Sequence, residues 1–176
     1  LYLGRIMKEK GIDELFYAVR HLKKENENFV LDLVGFFEDE YKEQVKELEK
    51  HSIAHFYGFQ SDPRPFYIEA DCVVLPSYHE GMSNVLLEAA ATGRPVITSN
   101  IPGCRESVEN GKSGLLVEVK NKEMLYDAMK EMLHCSREER EQMGQAGREK
   151  IEREFRKEVV VEKTVQSLRE DEKRDF

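Results

Sequence analysis

Glu80 and Glu88 frame the run His79-Glu80-Gly81-Met82-Ser83-Asn84-Val85-Leu86-Leu87-Glu88. The apolar run Cys72-Val73-Val74-Leu75 precedes it, and good helix formers follow Ser83. A glycine, a serine and an asparagine therefore sit where a strand gives way to a helix. In an open α/β sheet that turn presents backbone N–H groups to an anion. An anion needs no carboxylates beside it, so two acids flanking the turn point to hydroxyl groups as well. The pattern suits a sugar joined to a phosphate.

Two cations share that edge of the predicted sheet. Arg5 directly follows the opening run Leu1-Tyr2-Leu3, and Lys10-Gly11 opens the first helical pattern. A diphosphate is met by a planar fork from arginine and a point charge from lysine. The alternative for both is a solvated surface charge. Ser83 opens a helix whose first N–H groups have no intrahelical acceptor. Either Ser83 caps them, or they hold phosphate and sugar oxygens. Capping leaves Glu80-Gly81 unexplained, where a glycine permits close backbone approach. Glu88 stands among Leu86, Leu87, Ala89 and Ala90, so its helix reads as buried almost all round. A carboxylate in that setting wants a hydroxyl, a cation or a structural salt bridge. His79 either donates to a ligand or fills a turn.

The elements that must position these groups alternate. Leu1–Leu3 ends a strand, and Ile12, Leu15, Phe16, Val19 and Leu22 recur at helical spacing over 12–25. Phe29–Val34 reads as a strand, Tyr41, Val45 and Leu48 as a helix, and Ile53–Tyr57 as a strand. Asp62-Pro63 starts a short helix over 63–70. Cys72–Leu75 is apolar throughout, as a strand covered on both faces would be. Pro95–Thr98 and Leu115–Val117 are further strands, and Asn121 caps a helix with Met124, Leu125, Ala128, Met129, Met132 and Leu133 as a core stripe. Beyond residue 135 the pattern is helix only. Ser136-Arg137-Glu138-Glu139 is a capping box before a helix over 137–150. Phe155 starts another, with Val159, Val160, Val161, Val165 and Leu168 as apolar surface, and 171–176 reads as a frayed end. The fold class is α/β: a Rossmann-like parallel sheet with helices on both faces and a C-terminal helical extension, in one domain over 1–176. Ligands bind beyond the carboxyl ends of such strands, where the loops after Leu3, Leu75 and Thr98 converge.

Composition narrows the classes. Hydrophobic residues make 40% of the chain and charged ones 35%, as in soluble globular proteins. No apolar run approaches the roughly 20 residues of a membrane helix. The net charge of −8 and the lack of a basic stripe argue against a nucleic-acid partner. Cys72, Cys104 and Cys135 are odd in number and widely spaced, which reads as free thiols in a reducing cytoplasm. No HxH, HExxH or Asp-x-Asp occurs, so no metal site is expected. Gly111-Lys112-Ser113 lacks the upstream glycine of a P-loop and leads into a strand.

Taken in order, Gly4-Arg5, Lys10-Gly11, Gly58, Pro76-Ser77, the Glu80-x7-Glu88 pair with Ala89, Gly93-x-Pro95-Val96, Gly103-x-x-Glu106 and Gly111-x-x-Gly114 resemble a known family over nearly the whole chain. That family is the C-terminal, nucleotide-sugar-binding domain of retaining GT-B glycosyltransferases, often called family 4. The resemblance implies that Arg5 and Lys10 bind the donor diphosphate and Glu88 the ribose hydroxyls. It places Glu80 at the reacting face of the donor sugar, as the catalytic candidate. Backbone N–H groups of Gly81, Met82, Ser83, Asn84 and Val85 would contact sugar hydroxyls and the distal phosphate. It implies a UDP- or GDP-sugar as donor, no further cofactor, no metal, and transfer to a glycan or lipid-linked acceptor in polysaccharide biosynthesis. It also implies an N-terminal acceptor domain that this chain lacks, peripheral membrane association of the full-length protein at the inner membrane face, and little transfer by this chain alone. Where such proteins often carry Gly-x-Gly after the second strand, this chain has Gly35-Phe36-Phe37. The alternatives are a sugar-nucleotide epimerase of the same fold and a non-catalytic α/β regulatory module.

Overall fold

The computed structural model describes residues 1–172; Lys173–Phe176, most of the expected frayed end, lie outside the described residues. Among the described residues six short strands carry the sheet: β1 Tyr2–Leu3, β2 Leu31–Val34, β3 Ala54–Gly58, β4 Val73–Leu75, β5 Val96–Ser99 and β6 Gly114–Val117. Every pairing within the triplets β1-β2-β3 and β4-β5-β6 is parallel, with registers such as Tyr2 opposite Leu33 and Val73 opposite Val96. The nitrogen of Leu1 donates to the Cys72 carbonyl at 2.8 Å, and the Val74 N–H donates to the Leu1 carbonyl at 2.9 Å. These two bonds straddle Val73 in the parallel pattern and lay β1 beside β4. The sheet thus runs β3-β2-β1-β4-β5-β6. The chain steps outward one way from β1 and the other way from β4, so the order reverses between them.

Among the described residues seven helices fill the connections and the tail: α1 Ile12–Lys24, α2 Lys42–Lys50, α3 Arg64–Glu69, α4 Asn84–Ala91, α5 Lys122–His134, α6 Arg137–Glu154 and α7 Lys157–Glu172. The helical stripe of α1 is wholly inside: Ile12, Leu15, Phe16, Ala18, Val19 and Leu22 are buried. The stripe of α5 buries Leu125, Ala128, Met129 and Met132, and the two helices pack on one another. Polar contacts finish that seam. Glu25 accepts from the Tyr126 hydroxyl at 2.6 Å and pairs with Lys130, and His134 meets Glu27 at 2.9 Å. Met124 is the exception to the expected methionine stripe: it is exposed, and its sulfur accepts the Glu118 N–H.

Helix ends follow local chemistry. Asn121 accepts the Met124 N–H at 2.9 Å to start α5, and Ser136 with Glu139 forms the full capping box of α6. Asp62 takes the Arg64 N–H at 3.1 Å, while Pro63 occupies the cap position of α3 one residue later than expected. The sixth helix runs to Glu154 rather than 150, and Phe155 closes it instead of opening α7. Its Gly144 lies against α4, where an added Cβ would stand 1.8 Å from the Gly93 carbonyl oxygen. Val160, Val161 and Val165 of α7 are exposed, as the apolar surface expected there. Among the described residues no helix is long and apolar enough to cross a membrane.

Candidate functional site

The crevice beside the β1/β4 reversal is walled by three loops. The loop after β1 carries Arg5 and leads through a short 3₁₀ turn, Lys8–Lys10, into α1. The loop after β4 runs from Pro76 to Ser83, and the loop after β5 carries Gly103. Lys10 Nζ sits 2.6 Å from Glu80 Oε1, and the same oxygen accepts the Ser77 hydroxyl at 2.8 Å. The Tyr78 N–H donates to the Glu9 carbonyl at 2.8 Å, and its phenol donates to Glu14 of α1. Loops 70 residues apart in sequence are therefore stitched together around Glu80. Burial, reinforced by the Glu14 carboxylate, pushes the Tyr78 phenol well above its ordinary range, so it stays a donor at neutral pH.

The Glu80–Ser83 turn rests on the third loop. Ser83 N–H donates to the Gly103 carbonyl at 3.1 Å, and Glu106 accepts the Gly103 N–H at 2.7 Å. Gly103 has φ +86, and a Cβ there would lie 1.5 Å from the Gly81 carbonyl oxygen. Only glycine combines that left-handed backbone with that approach. Beneath, Cys104 is buried, and desolvation pushes its thiol up to about 11, which leaves it protonated and inert as a nucleophile.

Ser83 is buried but does not cap α4. Among the described residues, the N–H groups of Gly81, Met82, Asn84, Val85 and Leu86 have no acceptor. They form an open cradle at the positive end of a helix. Arg5 is exposed, and its guanidinium makes no hydrogen bond or ion pair among the described residues. Among the described residues, an unpaired Arg5, a Lys10 paired with Glu80 and a set of unfilled N–H donors thus lie on the loops after β1 and β4, a combination suited to a multiply charged anion.

Glu88 corrects one expectation. Helix α4 is not buried all round: Leu86, Ala89 and Ala90 are buried, whereas Glu88 and Ala91 are exposed. Eight residues make barely two turns, and only the side toward the sheet and α6 is covered. The salt bridge allowed for Glu88 does not form among the described residues. Its Oε2 instead accepts the hydroxyl of buried Tyr67 on α3 at 2.9 Å. Oε1 has no hydrogen-bond partner among the described residues, and Glu88 lines a depression of about 470 Å³ together with the Ser61–Arg64 segment. Glu80 and Glu88 accordingly serve different parts of the surface. His79 is exposed with no partner among the described residues. Among the described residues, no three His, Cys, Asp or Glu side chains cluster as metal ligands would.

The family model for glycosyl transferases group 1 matches residues 1–150, most of the chain. The chain belongs to the glycosyl transferases group 1 family. The capsular polysaccharide biosynthesis glycosyltransferase CapM of Staphylococcus aureus is 30% identical over 164 residues, which is 92% of this chain and 43% of CapM. The chain spans less than half the length of CapM and of the other first curated relatives it matches. Among solved structures, the C-terminal domain of the group 1 protein LpcC from Francisella tularensis matches with a TM-score of 0.74 at 27% identity, over 89% of this chain and 85% of that domain. Anabaena HepE, solved in complex with UDP, matches with a TM-score of 0.80 over 96% of this chain and 48% of HepE; at 20% identity that is a likeness of fold alone. The architecture is one Rossmann-like half of a GT-B fold with a helical C-terminal part.

In this group 1 chain the turn after β2 keeps Gly35 but follows it with two phenylalanines. Phe36 points outward and lies flat on Phe59 from the loop after β3, with ring centroids 5.0 Å apart and planes 5° apart. Two supports escape motif reading. Ser77, visible only as part of Pro76-Ser77, steadies Glu80, and Tyr67 steadies Glu88. A hydroxyl-bearing residue directly after a strand, and a tyrosine one turn beyond a proline helix start, are the local signals that mark them.

Proposed function

We propose that this chain is the donor-binding half of a retaining glycosyltransferase that moves a sugar from a UDP- or GDP-sugar to a glycan or lipid-linked acceptor. The observation that carries this reading is the set of unfilled N–H groups at the start of α4, on a loop whose Glu80 is bonded to Lys10; Arg5 on the loop after β1 and Glu88 one turn into α4 support it. The cradle and the two cations hold the diphosphate. The unpartnered Glu88 oxygen accepts from a ribose hydroxyl. Glu80, held by Ser77, stands at the sugar. Breaking the anomeric C–O bond builds negative charge on the leaving diphosphate, and fixed donors aimed at that charge lower the barrier without a divalent metal. The acceptor half lies outside this chain, which alone binds donor and does not transfer. In the full-length protein, peripheral attachment at the inner membrane face would bring a lipid-linked acceptor to the crevice.

Titration of the isotopically labelled chain with UDP or GDP tests the reading. Amide signals of Arg5, Lys10 and Gly81 to Val85 are expected to shift; no shift at millimolar nucleotide would sink it. Glu88→Ala separates the ribose from the phosphates. It is expected to weaken nucleoside diphosphate binding about tenfold to a hundredfold, the range for a hydrogen bond to a charged group. Pyrophosphate affinity should stay within about twofold by calorimetry, and equal losses for both ligands would remove the ribose assignment.

A further inference from the structure

The two cations of the crevice are not equivalent. Among the described residues Arg5 has no partner, while Lys10 is neutralised by Glu80 at 2.6 Å in a half-buried pair whose carboxylate is held in place by Ser77 at 2.8 Å. We propose that Glu80 discriminates donor from spent nucleoside diphosphate by competing for Lys10. The inference rests on the donor-site reading above and adds a specificity role to Glu80.

Any diphosphate entering the cradle either draws Lys10 away from Glu80 or lies beside an unneutralised carboxylate. A nucleotide sugar carries one negative charge on each phosphorus, and its sugar hydroxyls offer Glu80 donors to replace Lys10. On transfer, the anomeric C–O bond breaks and its electron pair stays on the terminal phosphate oxygen. The acceptor oxygen bonds to the anomeric carbon, and its proton passes to that phosphate oxygen or to solvent. The product now ends in a singly substituted terminal phosphate whose second ionisation lies near pH 6, so at neutral pH it gains most of another charge. It also offers Glu80 no sugar hydroxyl. Like-charge repulsion against Glu80 is then greatest, and the ion pair with Lys10 is the carboxylate's best remaining contact. Without Glu80, two cations and an N–H cradle would favour the more charged product over the donor. With it, re-forming the Lys10–Glu80 pair helps to expel the product.

Calorimetry on the chain and its variants tests this, with UDP, GDP and pyrophosphate as product-like probes and UDP-glucose and GDP-mannose as donors. Glu80→Gln keeps size and hydrogen bonding but removes the charge. It is expected to bind the diphosphates roughly tenfold more tightly, between the small effect of exposed charge pairs and the larger one of desolvated pairs. The donors should gain less or lose affinity. In a Lys10→Gln background only the like-charge part of the gain from Glu80→Gln should remain, so the substitution should tighten diphosphate binding less there than beside an intact Lys10. Glu80→Ala repeats the charge removal should the glutamine variant fail to fold. Wild-type binding of UDP or GDP with no tightening in either Glu80 variant overturns the competition and leaves the donor-site reading intact. Wild-type failure to bind either nucleotide at millimolar concentration overturns both.

Discussion

Replacing Arg5 and Lys10 together by alanine is expected to weaken nucleoside diphosphate binding by at least about a hundredfold. In the proposed site each cation would donate charge-assisted hydrogen bonds to phosphate, worth about 1.5–3 kcal/mol apiece. The two effects differ in origin. Arg5 is free before binding, so its removal forfeits the full contact. Lys10 must first leave Glu80, so Lys10→Ala alone is expected to weaken binding less than Arg5→Ala alone. The fold should tolerate both changes. Arg5 is exposed, and the Lys10–Glu80 pair is partly solvated, so its loss is worth about 1 kcal/mol or less. Calorimetric titration beside a thermal melt checks the claim. A double variant that binds UDP or GDP like the wild type, with an unchanged melting point, would remove both residues from the diphosphate site.

Gly103→Val is expected to be the most damaging single change near the crevice, acting on fold and site together. The residue has φ +86, and its Cβ would fall 1.5 Å from the Gly81 carbonyl oxygen, a contact with backbone that no rotamer relieves. Left-handed strain in a β-branched residue and displacement of the Glu80-Gly81 peptide together cost about 3 kcal/mol or more. In a chain of this length that lowers the melting temperature by roughly 6–12 °C. Nucleotide binding should fail even below the melting point, because the cradle is dislocated. Gly58→Ala is the control: φ there is +66, but nothing lies within 4 Å of the added Cβ, so only backbone strain of about 1 kcal/mol is expected. Equal destabilisation by the two substitutions would show that the packing of Gly103 on Gly81 is unimportant.

Much of this arrangement can be read from the chain. Continuous apolar runs such as Val73–Leu75 and the stripe from Ile12 to Leu22 carry the strand–helix alternation, and the alternation places the loops at one sheet edge. Most strand and helix limits shift by a residue or two, as with Leu31 for Phe29 and Lys157 for Phe155, and the end of α6 by four, because hydrogen bonding rather than hydrophobicity sets them. The exposure of Glu88 was not legible. Its neighbours are apolar, but whether a two-turn helix is covered on one side or all round depends on α6, which arrives 50 residues later. Nor could periodicity reveal that Lys10 is already paired, since its partner lies 70 residues away and the contact exists only once two loops meet. Ser83 was open between capping and binding, and the structure shows it does not cap. The capping box at Ser136 and the Asn121 cap, by contrast, are local, and both form as written in the sequence.

The seam between α1 and α5 has a consequence for how the protein is made. Its polar clasps join residues 101 to 107 positions apart, Glu25 to Tyr126 and Glu27 to His134. A chain emerging from the ribosome in order cannot complete the burial of its first helix until about residue 134 has been synthesised. Until then the apolar flank of α1 must wait uncovered or be shielded, the hazard of folds whose contacts are far apart in sequence. Lys10 stands at the entrance to that same helix, so the site is not fully supported until α5 has docked. Nucleotide binding should therefore report the folding of the chain almost to its final helices, not merely the presence of the first strand and its loop.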